Sequence, residues 1–173
     1  MPALEKNIER ALEQNIERAA VLRKALQLTE AMAILLDLHK QSPLSAKVNY
    51  ELAGIYDCQG LEEDAIPFYE RAIELGLRGD DLRGCLLGLG SSYRCLEQYS
   101  DAVRILEKGL AAFPDAEEFK VFLALSFYNL GEHREAVSLL LTHIGEHTAH
   151  KGVKRYQRSI LNYAMQPDPP YND

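Results

Sequence analysis

A period of 34 to 37 residues constrains this chain more than any other feature of its sequence. Leu52-Ala53-Gly54-Ile55-Tyr56 aligns with Leu89-Gly90-Ser91-Ser92-Tyr93, 37 residues on, and then with Leu123-Ala124-Leu125-Ser126-Phe127 after a further 34. In each segment a leucine, a small residue and an aromatic three positions later share one face of a helix. An alanine stands nine residues beyond each aromatic, at Ala65, Ala102 and Ala136, and Tyr69, Leu106 or Leu140 follows one turn later. Large residues beside small ones let two antiparallel helices approach closely while the neighbouring gaps are filled. A helix pair this short cannot bury its apolar face alone, so the copies must stack on one another.

The punctuation between the helices fits this reading. Gly60 and Gly131 lie four residues past the aromatic, where a left-handed C-cap ends the first helix. The middle copy carries Glu97 there, which predicts a turn that closes less comfortably. Second helices are expected to stop near Pro43 and Pro114, because proline disfavours helical geometry in the residue before it. In the first copy Gly76 and Gly79 do this, and extra residues around Gly79-Asp80-Asp81 lengthen the link. Further on, Val153, Tyr156, Ile160 and Tyr163 recur at helical spacing and predict one amphipathic helix that seals the last copy. Lys154, Arg155, Gln157, Arg158 and Asn162 would form its polar side. Residues 166–173 hold Pro167, Pro169 and Pro170 and little to bury, so an extended or disordered tail is expected.

This pattern resembles the tetratricopeptide repeat. The best copy has Leu89, Gly90, Tyr93, Tyr99, Ala102, Leu106, Gly109 and Pro114; the first has Leu52, Ala53, Tyr56, Gly60, Ala65, Tyr69 and Ala72; the third has Leu123, Ala124, Phe127, Gly131, Ala136 and Leu140. The family's large aromatic near the start of the first helix is Asn49, Leu86 and Lys120 here, and its last small site is His143 in the third copy. The resemblance implies an all-α, right-handed solenoid with three repeats over 46–79, 83–116 and 117–150, a capping helix over 151–165 and a tail over 166–173, all in one structural domain. Residues 1–45 look like N-terminal helices that include a degenerate copy, with Leu22, Ala31, Leu35, Leu38 and Pro43 at repeat positions and Leu26 in place of the turn glycine. Two outcomes are open there: a break near Leu26-Gln27-Leu28 with Thr29 as N-cap, or one continuous helix. Upstream, Asn7-Ile8-Glu9-Arg10-Ala11 recurs as Asn15-Ile16-Glu17-Arg18-Ala19. An eight-residue step turns a helix by only about 80°, so both copies feed an apolar stripe with Leu4, Leu12 and Leu22. The chain is similar in style to small stand-alone bacterial members of the family, a likeness that brings no known activity with it.

In the family, the second, fifth, ninth, twelfth and thirteenth residues of each repeat line a concave groove that holds peptides. Here these are Lys47, Tyr50, Gly54, Asp57 and Cys58, then Gly84, Leu87, Ser91, Arg94 and Cys95, then Glu118, Val121, Leu125, Tyr128 and Asn129. The resemblance therefore implies a non-catalytic scaffold or adaptor with a protein or peptide partner. Members that grip a terminal carboxylate use Lys, Arg and Asn at the fifth and ninth positions, where this chain has Tyr50/Gly54, Leu87/Ser91 and Val121/Leu125. That clamp is missing. An apolar floor of Tyr50, Leu87, Val121, Leu125 and Tyr128 remains, with Arg94 and Asp57 as charged posts, suited to an amphipathic helix or an apolar peptide. Two competing expectations are that the C-terminal helix covers this floor, or that the chain forms a homo-oligomer through its N-terminal helices.

Charge and composition narrow the function classes. Nineteen basic residues against 26 acidic ones give a net charge of −7, whereas nucleic-acid binding depends on clustered Lys and Arg. No nucleic acid is expected, and a basic or neutral protein partner is favoured. No apolar run reaches the roughly 18 residues that a membrane span needs, and the first twenty residues are charged rather than a secretory core, so a cytoplasmic protein with no membrane partner is expected. Cys58, Cys85 and Cys95 fit neither a disulfide framework nor a zinc knuckle and read as reduced thiols. His143, His147 and His150 would face one way on a continuous helix with Glu146 nearby, an arrangement that could hold a divalent metal. Yet His143 falls at a small packing position and His147 to His150 where a helix should end, so the structural reading is preferred and no metal or other cofactor is expected. No glycine-rich phosphate loop, nucleophile elbow or HExxH pattern is present. The pairs Glu62-Glu63, Asp80-Asp81 and Glu117-Glu118 are placed to favour helix N-termini. An enzyme is not expected.

Overall fold

The structure is a computed structural model that describes residues 2–168, with side chains from Asn7 onward apart from Ile8 and Glu9. The helices are α1 (Pro2–Lys24), α2 (Leu28–Gln41), α3 (Ala46–Cys58), α4 (Glu62–Glu74), α5 (Gly79–Cys95), α6 (Tyr99–Ala112), α7 (Glu118–Leu130), α8 (His133–His147), α9 (Lys151–Lys154) and α10 (Gln157–Met165). Among the described residues there is no strand. The helices group into two compact units, Met1–Ser92 and Tyr93–Asp173, and the boundary falls inside α5.

In the first unit one apolar cluster joins Ile16 and Ala19 of α1, Ala31, Leu35 and Leu38 of α2, and Val48, Leu52 and Ile55 of α3. Each buried leucine or isoleucine there contributes about 1.5–3 kcal/mol. Leu12 and Leu22 pack partly buried against it as the stripe predicts, while the side chain of Leu4 lies outside the described residues. The chain breaks between α1 and α2, so the first of the two open outcomes holds. Leu26 adopts the left-handed conformation at φ 59°, and the Gln27 amide donates to the Leu22 carbonyl across the turn. Gln27, not Thr29, stands at the N-cap of α2, and its side chain makes no capping bond. Thr29 already lies within the first helical turn. Asn49 replaces an aromatic of the repeat pattern for a visible reason. Buried, it donates to the carbonyls of Pro43 at 3.0 Å and Ser45 at 2.8 Å, satisfying backbone groups in the link ahead of α3.

In the second unit α6 packs on α7 and α7 on α8. Phe119 is fully buried, and its ring occupies the space that a Cβ at Gly109 would need. The aromatic absent at Lys120 is thus supplied by the preceding residue. Glu97 takes the left-handed turn position at φ 61°, the less comfortable closure that its side chain predicts. The single C-terminal helix is corrected to two, since the chain turns at Arg155 and Tyr156 between α9 and α10. Spacing counted across that turn no longer marks one face, and Tyr156 and Tyr163 are both exposed. α10 instead lays Ile160 and Leu161 over Gly145 of α8, with Ala164 buried. Gln157, expected on the polar side, donates to the Gly145 carbonyl at 2.7 Å, and Ser138 donates to the Ala164 carbonyl at 2.6 Å. Pro169 to Asp173 of the expected tail lie outside the described residues. No helix among the described residues is long and apolar enough to cross a membrane.

Candidate functional site

The sequence places its interaction residues on α3, α5 and α7, and the two units treat them differently. On α3, Lys47 forms an ion pair with Asp81 of α5 at 2.5 Å, and Asp57 accepts a hydrogen bond from the Tyr69 hydroxyl at 2.8 Å. Burial holds the Asp57 carboxyl above its ordinary value despite that bond. Burial, and then the Asp57 charge, push the Tyr69 phenol far up, so Tyr69 remains a donor. Arg23, from the last turn of α1, reaches across α3. Its Nε donates to Glu51 at 2.9 Å, its guanidinium lies 5.9 Å from the centre of the Tyr50 ring, and a Cβ at Gly54 would come within 3.0 Å of it. Desolvation pulls the Arg23 pKa down, but the Glu51 charge and hydrogen bond outweigh it and leave the pKa raised. Tyr50 is half-buried, with its hydroxyl against Gly84, and burial raises its pKa. Leu87 and Ser91 of α5 are half-buried. On α3 the expected ligand positions Lys47, Tyr50, Gly54 and Asp57 are therefore engaged by the chain's own side chains. Arg23 is the residue that sequence reasoning missed. The only trace of it is Gly54, a small residue where something large has to fit.

On α7, Val121, Leu125 and Tyr128 follow one another at helical spacing. Phe119, Leu123, Ala124 and Ser126 are buried on the inner side. On the outer side Leu125 is 42% exposed and Tyr128 63%, with the His133 ring 5.1 Å from that of Tyr128; Leu130 continues the inner stripe to the end of the helix, where it is 38% exposed. The C-terminal helix α10 packs on α8 and leaves these residues uncovered. Arg94, at the end of α5, reaches Asn129 with a long 3.4 Å hydrogen bond, while its Nε is buried with no hydrogen-bond partner. Among the described residues no carboxylate pairs with it.

The histidine cluster also differs from its expected form. His143 Nδ1 lies 2.9 Å and His147 Nε2 3.3 Å from the same Glu117 oxygen. His150 is exposed at the N-cap of α9 and takes no part, and Glu146 stands 3.8 Å from His147. The other Glu117 oxygen accepts from Lys120 at 2.9 Å, and these hydrogen bonds, Lys120 first and His143 next, lower the Glu117 pKa. Glu117 lies 26 residues before His143 and ahead of a different helix, so no local spacing pointed to it. Cys58 and Cys95 are exposed and Cys85 is buried, all as free thiols.

The sequence pattern of the family described as Tetratrico peptide repeat matches residues 46–166. Among solved structures, the chain is similar to YrrB, described as a TPR protein with an unusual peptide-binding site, at a TM-score of 0.65 and 20% identity over 92% of each chain. It is similar to MamA at a TM-score of 0.64 and 18% identity, over 85% of this chain and 92% of that one. It is also similar to TTC0263, a thermophilic TPR protein of Thermus thermophilus, at a TM-score of 0.64 and 20% identity, over 89% of this chain and 87% of that one. No curated protein sequence matches the chain significantly.

Proposed function

This chain belongs to the tetratricopeptide repeat family, and we propose that it is a protein-binding module whose contact surface is the outer side of α7 with Arg94 beside it. The observation that carries this reading is the helix itself. A helix that is apolar all round is ordinarily buried all round, yet Leu125 and Tyr128 remain exposed on the outer side of α7. Adjacent exposed apolar residues of this kind mark a contact site on a soluble protein. The peptide-binding site in the description of YrrB agrees in kind, and the family's general role as an interaction module agrees with it.

The ligand that fits is a peptide or amphipathic helix with an apolar stripe for Val121, Leu125 and Tyr128 and one carboxylate for Arg94. Against a net charge of −7 the rest of that partner is neutral or basic. Lys47, Tyr50 and Asp57 act in this reading as supports of the first unit, and the half-buried Leu87 and Ser91 are not part of the proposed surface. Leu125 is 42% exposed and Tyr128 63%, so completing their burial stabilises a complex by about 1 kcal/mol each, and replacing both with glutamate weakens it by a factor on the order of tens or more. Affinity capture from native lysate with the untagged wild type and the Leu125→Glu/Tyr128→Glu variant tests this, with folding checked by circular dichroism. A partner retained by wild type and lost by the folded variant supports the proposal. Partners retained equally by both would remove α7 as the contact surface.

A further inference from the structure

We propose that Glu117, His143 and His147 form a binding site for a first-row divalent metal ion of the zinc class, a function separate from partner binding. The three ligand atoms come from two elements, the N-terminal end of α7 and the last turns of α8, and all lie within 4.8 Å of one another. Tetrahedral bonds of about 2.0–2.1 Å place neighbouring ligand atoms about 3.3 Å apart. The two separations from Glu117, 2.9 Å and 3.3 Å, need only small adjustment to reach that. His143 and His147 stand four residues apart with ring centres 5.1 Å from each other, so one helical face presents both imidazoles to the same point.

Glu117 is set for this task rather than for the helix it precedes. It occupies the N-cap position of α7, but its side chain makes no capping bond. One carboxylate oxygen is held by Lys120, which turns the other toward both imidazoles, the kind of outer contact that orients a metal ligand. Two imidazoles and a carboxylate match the preference of zinc and its neighbours, and do not suit calcium or magnesium. His147 is half-exposed, which leaves a route for the ion and room for water to complete its coordination. Glu146, 3.8 Å from His147, is within reach as a further oxygen donor. The Lys120 charge opposes the ion, so the affinity falls below that of a closed four-ligand site. Because the ligands bridge two helices, the bound ion joins the start of α7 to the end of α8 and stabilises the folded chain.

The test is calorimetric titration of Zn2+ into the full, untagged chain. Cys58 and Cys95 are exposed thiols, a side chain that zinc also favours, so the titration uses a Cys58→Ser/Cys95→Ser background. The expected result is one ion per chain, with affinity reduced at least about tenfold in His147→Ala and in His147→Gln, and unchanged in His150→Ala. Zinc raises the thermal midpoint of the background protein, and chelator returns it to the starting value. His147 sits at the exposed end of α8, and circular dichroism of both variants without metal shows whether they keep the fold. Absence of saturable binding, binding unchanged in the two folded His147 variants, or equal loss in His150→Ala would each overturn the site.

Discussion

The two units carry the same kind of repeat helix and surround its outer side differently. In the first, α3 is overlaid by Arg23, which spans Glu51, Tyr50 and Gly54, while Lys47 and Asp57 are engaged by Asp81 and Tyr69. In the second, α7 leaves Leu125 and Tyr128 partly exposed, the latter beside the His133 ring, and among the described residues no carboxylate meets Arg94. The positions that line a ligand groove in the family are therefore not interchangeable between repeats. Where the chain provides its own cation, anion and ring contacts, the helix side is packed by the protein itself; where apolar side chains stay exposed, it is the side proposed above to meet a partner.

The largest effect expected from perturbing this contrast lies at Arg23. Glu51 is 3% exposed, so Arg23→Ala strands a buried carboxylate and costs about 3 kcal/mol, whereas replacing both partners with leucine is close to neutral. Urea unfolding of the single and double variants reads this directly, and a loss below about 1 kcal/mol for the single variant would mean that α3 does not depend on Arg23. Next comes the inner side of α7, which is as tightly packed as its outer side is open. Gly109→Ala drives a methyl group into the Phe119 ring and is expected to destabilise by about 1–3 kcal/mol, measured as a fall in denaturation midpoint.

A smaller gain is expected at the two turns. Glu97 and Leu26 hold left-handed φ values of 61° and 59°. Glycine there relieves about 1–2 kcal/mol of strain and returns about 0.4–1 kcal/mol through greater freedom of the unfolded chain. Glu97→Gly and Leu26→Gly are thus each expected to raise the melting temperature slightly, one change in each unit. The smallest effect is pH dependence at Asp57. Burial raises its folded-state pKa, so the folded chain holds this proton more tightly than the unfolded one. Its favourable contribution is full below the unfolded pKa and is lost as pH rises through the folded value. Asp57→Asn keeps an acceptor for Tyr69 and removes that slope, which stability measured across the acid range detects.

Much of the fold was legible because its determinants are local and periodic. The Leu, small residue and aromatic spacing located α3, α5 and α7, and the missing glycines at Leu26 and Glu97 marked the two strained turns. What the spacing missed depends on residues brought together from far apart. Arg23 reaches Glu51 across 28 residues, and Glu117 meets His143 across 26, so neither pairing leaves a local pattern. The C-terminal stripe misled because a turn at Arg155 and Tyr156 interrupts the count. Of the candidate contact residues, sequence reasoning marked Leu125, Tyr128 and Arg94, but could not distinguish them from Tyr50 and Asp57, whose partners are set by tertiary packing.

The most direct measurement is a nuclear magnetic resonance titration of the chain, with Leu and Val methyl groups labelled, using an apolar peptide selected against the full protein from a random library. If the outer side of α7 is the contact surface, Val121 and Leu125 shift on binding, while Leu52 and Leu87 of the first unit do not. Shifts at Leu87 with none at Leu125 would contradict this, and would place the working surface in the first unit instead.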